Sequence, residues 1–342
     1  MADSSAAGGH ADLHLVPVAN RAVILRVLDG FAEAGIPEVA VAVEPRLAEQ
    51  TRDLLESDRA WPFALSYLTA ATGEGLLDAL TATGRCALES PLLLHWACGL
   101  FNAPLRSLLG GATVGALDAV LLLDRGQADA RVAELTSRRL AAVTGHPPTA
   151  SRGGLAGVAL LGAGAPDVAR SLRPGRGSDL DVLALVERMA QLGGRVRTLP
   201  ATACWRCTGA VDSALDLNRF LLSDLIAEPP ALEFPETIFQ GPVQVDSSAV
   251  LERATVRGPV VIGARTRLID AWVGPYTSIG EDVCVEGAEI ENSILLGGTR
   301  ITHLDRRLEA SVVGPGATVG RDFRLPRALR LCVGEGARVS LA

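Results

Sequence analysis

The chain has 342 residues, of which 48% are hydrophobic and 21% charged, and it carries a formal net charge of −7. This length supplies two domains of ordinary size, each with a core of its own. We do not expect an acidic chain without a basic stripe to bind nucleic acid, because such binding depends on neutralising backbone phosphates. All 32 of the Lys+Arg residues are arginine.

The sequence shows no segment typical of a membrane protein. Its longest uncharged stretch, residues 90–105, contains Pro91 and Pro104 and is too short for a transmembrane helix. The first ten residues have neither the basic region nor the apolar run of a signal peptide. We therefore expect a cytoplasmic protein with no membrane partner, whose six cysteines are reduced thiols.

Residues 15–228 alternate short apolar runs with longer segments of helical periodicity. The pattern predicts helices over 23–34, 47–55, 180–191 and 213–225, and strands over 38–43, 63–68, 91–94, 119–123 and 195–199. Continuous apolar strands separated by helices are typical of a parallel sheet that is buried on both faces. The first part of the chain is thus predicted to be a Rossmann-like α/β domain with a mostly parallel sheet.

The pattern changes from residue 241 onward, where an aliphatic residue followed by glycine recurs, as in Ile262-Gly263. Val256, Ile262 and Leu268 are spaced six residues apart. This period predicts a left-handed parallel β-helix, in which each hexapeptide forms one face of a triangular coil, with the aliphatic residue inward and glycine or small residues at the corner. The predicted organisation is an α/β domain over 1–228, a proline-rich linker over 229–240 and a β-helix over 241–342.

Several segments resemble bacterial sugar-1-phosphate nucleotidyltransferases. Leu15-Val-Pro-Val-Ala-Asn-Arg-Ala-Val23 is similar to a segment that reads LVPVANKPV in that family. The likeness continues through Trp205-Arg-Cys-Thr-Gly-Ala-Val-Asp212 and Leu217-Asn-Arg219, and into the repeat region at Val256-Arg-Gly-Pro-Val-Val-Ile-Gly263. The chain most resembles the long-form glucose-1-phosphate thymidylyltransferases, and this resemblance implies the same two-domain fold with a C-terminal left-handed β-helix.

The resemblance also implies a reaction, in which a sugar 1-phosphate attacks a nucleoside triphosphate and two aspartates hold Mg²⁺. The matching aspartate positions are Cys98 and Cys207, and two lysine positions of the family are Leu13 and Gly145. Ala70 stands where the family reads the base with glutamine, and the first strand and phosphate loop have no counterpart. Because Mg²⁺ takes oxygen ligands, we expect a catalytically degenerate homologue with no intact catalytic residue and no bound metal or cofactor.

What remains of the resemblance implies a site for a nucleotide or a sugar nucleotide. The substrate-binding residues carried over for it are Gly73, Gly75, Gly157, Trp205, Thr208 and Gly209. A β-helix stacks and oligomerises more often than it catalyses. We therefore expect a regulatory or scaffolding subunit, either a homo-oligomer or a hetero-oligomer with an active relative.

Two other functions stay open. The first is an active nucleotidyltransferase with an altered site. In it, arginines would replace the lysines and other aspartates the metal ligands, the candidates being Arg21, Arg206, Asp181 and Asp212. The second is a thiol-based or metal-binding sensor that uses Cys98 and Cys207, with Cys204 and His95 close in sequence.

Two further groups of residues are predicted to be structural. The five histidines show no metal-ligand spacing, and we expect each of them on the surface or in a loop. The pairs Arg138-Arg139 and Arg306-Arg307 are expected to lie on solvated faces.

Overall fold

The computed structural model describes residues 13–69, 77, 79–81, 91–96, 99–101, 103–110, 112–124, 139–142, 154–172, 178–201, 204–206, 212–226, 234–321 and 323. Contacts divide the chain into two units. We call Ile24–Arg206 the α/β unit, and Met1–Val23 together with Cys207–Ala342 the solenoid unit. The predicted linker over 229–240 stays a prediction, since residues 227–233 lie outside the described residues.

The chain enters the structure through a 3₁₀ turn, Leu13–Leu15, and a short antiparallel hairpin. The hairpin consists of β1 (Pro17–Val18) and β2 (Arg21–Ala22), with Ala19 and Asn20 as its two-residue turn. Helix α1 (Val23–Ala34) follows at the predicted bounds. It buries Val23, Ile24, Leu28 and other apolar residues at helical spacing, which is why the periodicity predicted it correctly.

A parallel strand pair comes next. Strand β3 (Glu38–Val43) alternates exposed and buried residues and pairs with β4 (Ala64–Thr69). A 3₁₀ turn (Pro45–Leu47) and helix α2 (Ala48–Asp58) connect them. The predicted strand–helix–strand order is confirmed.

The main sheet of the α/β unit has four strands in the order β5-β8-β7-β9. They are β5 (Leu92–His95), β7 (Ala119–Asp124), β8 (Leu155–Leu161) and β9 (Val196–Ala201). Strand β8 runs antiparallel to both β5 and β7, whereas β9 is parallel to β7. Three strands therefore share one direction, and β8 departs from the predicted parallel order because hydrophobicity reports burial and not strand direction.

This unit also contains two short strands and three helices whose bounds the structure describes in full. Strands β6 (Gly99–Phe101) and β10 (Cys204–Arg206) form a separate antiparallel pair. The helices are α3 (Leu105–Leu109), α4 (Ala165–Ala169) and α5 (Ser178–Gln191). The core joins α4 and α5 to strands β7 and β8, and Leu121, Leu161, Leu185 and Met189 are all fully buried in it.

The solenoid unit contains helix α6 (Asp212–Ser223) and fifteen short strands in three parallel five-stranded sheets. The first sheet is β11 (Ile238–Gln240), β14 (Thr255–Arg257), β17 (Trp272–Val273), β20 (Glu289–Glu291) and β23 (Leu308–Glu309). The second is β12 (Val243–Val245), β15 (Val260–Ile262), β18 (Thr277–Ile279), β21 (Ile294–Leu295) and β24 (Val312–Val313). The third is β13 (Val250–Glu252), β16 (Arg267–Ile269), β19 (Cys284–Glu286), β22 (Arg300–Thr302) and β25 (Thr318–Gly320).

These sheets form a parallel β-solenoid of about five turns, consistent with the predicted left-handed β-helix. Val256, Ile262 and Leu268 lie on three different sheets and are 0%, 3% and 0% exposed. The six-residue spacing thus places one inward aliphatic side chain on each face of a coil, as predicted.

The prediction that glycines turn the corners needs correcting. Many corner residues with positive φ are not glycine, such as Arg253 and Asp270, both with φ of 49°. Glycines with positive φ also occur, as at Gly287 and Gly298, but the glycines that follow an aliphatic residue, such as Gly263, instead allow close approach between coils. A Cβ on Gly263 would lie 2.7 Å from the carbonyl carbon of Gly280, and one on Gly280 would lie 2.9 Å from the backbone nitrogen of Gly297. These glycines are required because there is no room for a side chain.

Candidate ligand site at the strand ends of the α/β unit

The carboxyl ends of three strands meet at one edge of the main sheet. Strands β5, β7 and β9 share a direction, so His95, Asp124 and Ala201 lie at the same edge. In α/β sheets, ligands bind outside this edge. This edge is therefore the candidate site of the α/β unit.

His95 ends strand β5 and packs between two aromatic rings. Its ring centroid is 5.4 Å from that of Phe31 and 6.0 Å from that of Phe101, both in edge-to-face geometry. Its Nδ1 lies 2.6 Å from the carbonyl oxygen of Trp96 and donates to it in the neutral form. Burial lowers the pKa of His95 to about 4. The imidazole is therefore neutral at pH 7, and the prediction of a surface or loop histidine is wrong here.

Gly157 lies on the neighbouring strand β8, where its carbonyl oxygen accepts a hydrogen bond of 2.9 Å from the backbone N–H of Trp96. Its φ is 86°, a conformation that favours glycine. The register between β7 and β8 shifts in the same stretch, between Leu121 and Leu123. Gly157 thus bends the strand beside His95 and Trp96, which gives this predicted site residue a backbone role.

Cys204 begins strand β10 and is 6% exposed. Burial, the negative charge of Asp124 and a hydrogen bond to the Asp124 side chain together raise the pKa of the Cys204 thiol to about 12. Asp124 itself is 8% exposed and ends strand β7. Cys204 is therefore a protonated thiol at neutral pH and a poor nucleophile.

The β6–β10 pair brings the segments of the two predicted metal positions together. Trp205, a predicted substrate-binding residue, pairs with Leu100 and is 3% exposed, so its indole is part of the packing. Arg206 pairs with Gly99 at the end of the ladder. In sequence, Cys98 precedes Gly99 and Cys207 follows Arg206, and both cysteines lie outside the described residues.

The remaining predicted site residues are only partly described. The structure gives Leu13 as the first residue of a 3₁₀ turn. Asp181, a candidate metal ligand, lies on α5 and is 1% exposed. The predicted site residues Gly73, Gly75, Gly145, Thr208 and Gly209 and the base-reading position Ala70 lie outside the described residues.

Sequence reasoning missed the role of Asp124 and of two arginines. A buried acid at a strand end could have been noticed, since 119–123 was already predicted as a strand. Arg139 donates two hydrogen bonds to Glu187, and Arg307 stacks over Trp272 at 4.3 Å from the ring centroid. Arg139 is partly buried, so the prediction of a solvated face is wrong for it, whereas Arg306 and Arg307 are exposed as predicted.

Two further properties concern the described part of the chain. There, no group of three His, Cys, Asp or Glu side chains is placed to hold a metal ion. None of its helices is long and apolar enough to cross a membrane.

The chain resembles known proteins along most of its length. It is 28% identical to a glucose-1-phosphate thymidylyltransferase of Streptomyces griseus, over 96% of this chain and 93% of that protein. A glucose-1-phosphate thymidylyltransferase of Streptomyces antibioticus and a low-salt glycan biosynthesis nucleotidyltransferase of Haloferax volcanii are each 25% identical, with the same coverage. No protein-family model matches the chain.

The fold and these relatives point to one class of protein. The chain is similar over most of its length to sugar nucleotidyltransferases. Two of the three relatives are glucose-1-phosphate thymidylyltransferases, so the predicted resemblance to that branch is confirmed.

Proposed function

We propose that this protein is a catalytically degenerate sugar nucleotidyltransferase homologue that binds a nucleotide or sugar nucleotide and acts as a regulatory or scaffolding subunit in activated-sugar synthesis. The observation that carries the proposal is the chemistry of the positions that match the family's metal aspartates. Both are cysteines, Cys98 and Cys207.

The donor set at these positions does not fit Mg²⁺. A hard cation of this kind takes oxygen ligands, and a neutral thiol is a poor substitute. Nucleotidyl transfer needs the charge on the phosphates to be neutralised, and a site without metal ligands lacks the largest source of that neutralisation. We therefore derive no catalytic step through a metal in this chain.

The described residues at the strand ends support the same interpretation. His95 is neutral because burial lowers its pKa to about 4, and Cys204 is protonated because burial and Asp124 raise its pKa to about 12. Neither group supplies a cation for a triphosphate or a base for a reacting hydroxyl at neutral pH. Both side chains instead contribute to packing, as expected of a scaffold that binds without transferring.

The solenoid supports a scaffolding role. Its inward side chains form a continuous core through the coils, and Leu251, Leu268, Val285 and Ile301 of the third sheet are all 0% exposed. Parallel solenoids offer repeating flat faces to partners. We propose a homo-oligomer, or a hetero-oligomer with an active relative, and no nucleic-acid or membrane partner.

The decisive experiment measures pyrophosphate release. Purified full-length protein is incubated with Mg²⁺, thymidine triphosphate and glucose 1-phosphate, with the Streptomyces griseus relative as the positive control. We expect no turnover above background over a range of nucleotides and sugar 1-phosphates. Robust turnover with any pair would overturn the proposal in favour of an active enzyme with an altered site.

A binding experiment separates a degenerate binder from a pure scaffold. We expect thymidine diphosphate glucose to bind in isothermal titration with the same Kd in Mg²⁺ and in EDTA. The Cys98→Asp, Cys207→Asp double variant restores two carboxylates, so its Kd should depend on Mg²⁺. No binding by either protein would remove the ligand-binding part of the proposal.

A second candidate function uses the thiols. The β6–β10 ladder ends at Gly99 and Arg206, whose chain neighbours are Cys98 and Cys207. Because the residues next to the two cysteines are paired across the ladder, a test for a redox pair or a soft-metal site is justified. Thiol titration before and after reduction, with metal analysis of the native protein, decides the matter. Two free thiols and no zinc or copper would end this second proposal.

A further inference from the structure

One outward-facing row of the solenoid is buried. In the second sheet, Val261, Ser278 and Ile294 of adjacent strands lie in register outside the solenoid core, and they are 7%, 1% and 1% exposed. Gln244, on the first coil of the same row, is exposed. Helix α6 contacts the middle of this face through Asn218, which is hydrogen-bonded to Ser278.

Asn218 of helix α6 makes the contact that joins these segments. It is 0% exposed, and its Oδ1 accepts hydrogen bonds from the Ser278 hydroxyl at 2.6 Å and from the Ala19 backbone N–H at 3.1 Å. Its Nδ2 donates to the carbonyl oxygen of Tyr276 at 2.8 Å. The Asn218 side chain is thus hydrogen-bonded to three elements, which are the hairpin, a corner of the solenoid and strand β18.

The hairpin turn needs such support. Ala19 and Asn20 both have positive φ, 46° and 61°, and an alanine is unfavourable in that conformation. A two-residue turn of this kind normally uses asparagine and glycine. Asn20 adds a hydrogen bond of 2.7 Å from its Nδ2 to the carbonyl oxygen of Ile279. Tertiary hydrogen bonds therefore hold a turn that its own sequence only weakly favours.

We infer that Asn218 is a positioning residue through which the solenoid fixes the left-handed turn at Ala19 and Asn20, and with it the hairpin strand that carries Arg21. The two segments involved, 15–23 and 217–219, are among those that resemble the nucleotidyltransferases. In this chain the two segments are joined by the hydrogen bond between the Ala19 backbone N–H and Asn218. The inference does not depend on the proposed function, because it concerns the conformation of the hairpin alone.

Hydrogen exchange of the full-length protein tests the inference. In Asn218→Ala we expect the Ala19 amide to exchange roughly tenfold to a hundredfold faster, because it loses its buried acceptor. The amide of Cys284, bonded to Thr299 within the solenoid, and that of Ala119, bonded to Arg195 in the α/β unit, should change by less than about twofold. Equal acceleration at all three sites, or none at Ala19, would overturn the inference.

Milder variants keep the test decisive if Asn218→Ala does not fold. Ser278→Ala removes one donor to Asn218, whereas Ser293→Ala removes an equally buried hydroxyl that bonds Glu291. Only Ser278→Ala should accelerate exchange at Ala19. Ala19→Gly relieves the left-handed turn, so combined with Ser278→Ala it should restore much of the protection. The same response to both serine variants would show a general loss of stability and refute the specific role of Asn218.

Discussion

The two units build their cores from the same aliphatic residues but place their chemistry differently. In the solenoid, the groups with shifted pKa values are exposed corner residues. A hydrogen bond to Asp270 raises the pKa of Arg253, and a hydrogen bond to Asp282 raises the pKa of Arg265. In the α/β unit they include His95 and Cys204, which shift because they are buried. In the solenoid these ionisable side chains lie at exposed corners between the short strands. In the α/β unit His95 and Cys204 lie at the ends of strands, where they are buried.

The difference implies that cysteines in the two units react differently. Burial and Asp124 raise the pKa of the Cys204 thiol to about 12, so at neutral pH far less of it is thiolate than of an ordinary thiol. Cys284, on strand β19 of the solenoid, is partly exposed. We expect iodoacetamide to modify Cys284 in the native protein while Cys204 stays unmodified until unfolding, as followed by peptide mass spectrometry. Rapid native labelling of Cys204 would contradict the burial argument.

The solenoid core can be broken from one inward position. Ile290 on β20 is 0% exposed, and Ile290→Ala should lower the free energy of unfolding by about 3 to 4 kcal/mol through lost burial and a cavity. Ile238 lies in the first sheet as well but is 55% exposed, so Ile238→Ala should cost below about 0.5 kcal/mol. Chemical denaturation followed by circular dichroism measures both, and equal losses would reject the inward and outward assignment.

The α/β unit should weaken in mild acid because of His95. Its folded pKa of about 4 lies below the ordinary value of 6.5, so the unfolded chain binds the proton first as pH falls. The contribution is complete above pH 6.5 and is lost progressively between about 6.5 and 4. The loss reaches about 3 kcal/mol at most, from 1.36 kcal/mol per pKa unit.

The control for this prediction is His95→Phe, which keeps a ring between Phe31 and Phe101 but does not titrate. Urea unfolding at pH 7.5, 5.5 and 4.5, followed by tryptophan fluorescence, should show a dependence of the unfolding free energy on pH in the natural protein that the variant lacks. An identical slope in both proteins would place the acid sensitivity elsewhere.

The sequence predicts most of the repeating structure and much of the regular α/β structure. Helix α1 and strand β3 have the predicted bounds, because amphipathic periodicity and a short apolar run are local signals. The six-residue period likewise identifies the solenoid core through Val256 and Leu268. Sequence-based prediction fails where the conformation of a segment depends on residues that are distant in the sequence. Nothing near Ala19 in the sequence reveals that Asn218 will hold its turn.

The site is less predictable for the same reason. Strand β8 lies between β5 and β7 and runs antiparallel to both of them. The hydrophobic pattern of a strand does not reveal its direction. His95 has no sequence signal of burial, because Phe31 and Phe101 reach it from separate elements. Asp124 and Cys204 are eighty residues apart in the sequence, yet Asp124 helps to raise the pKa of the Cys204 thiol.

The smallest effect concerns the ion pair between Arg139 and Glu187. Arg139 donates from Nε and Nη2 to the two carboxylate oxygens, and Glu187 raises its pKa. Arg139→Lys keeps the charge but loses the two-point geometry, so we expect a loss of about 0.5 to 1 kcal/mol that shrinks in high salt. Arg188 is the neighbour of Glu187, and its exposed side chain donates a hydrogen bond to Gln191, so Arg188→Lys should be neutral. The pair is partly shielded from water, so its contribution should be measurable. If Arg139→Lys lowers the free energy of unfolding no more than Arg188→Lys does, the two-point geometry of the ion pair does not stabilise α5.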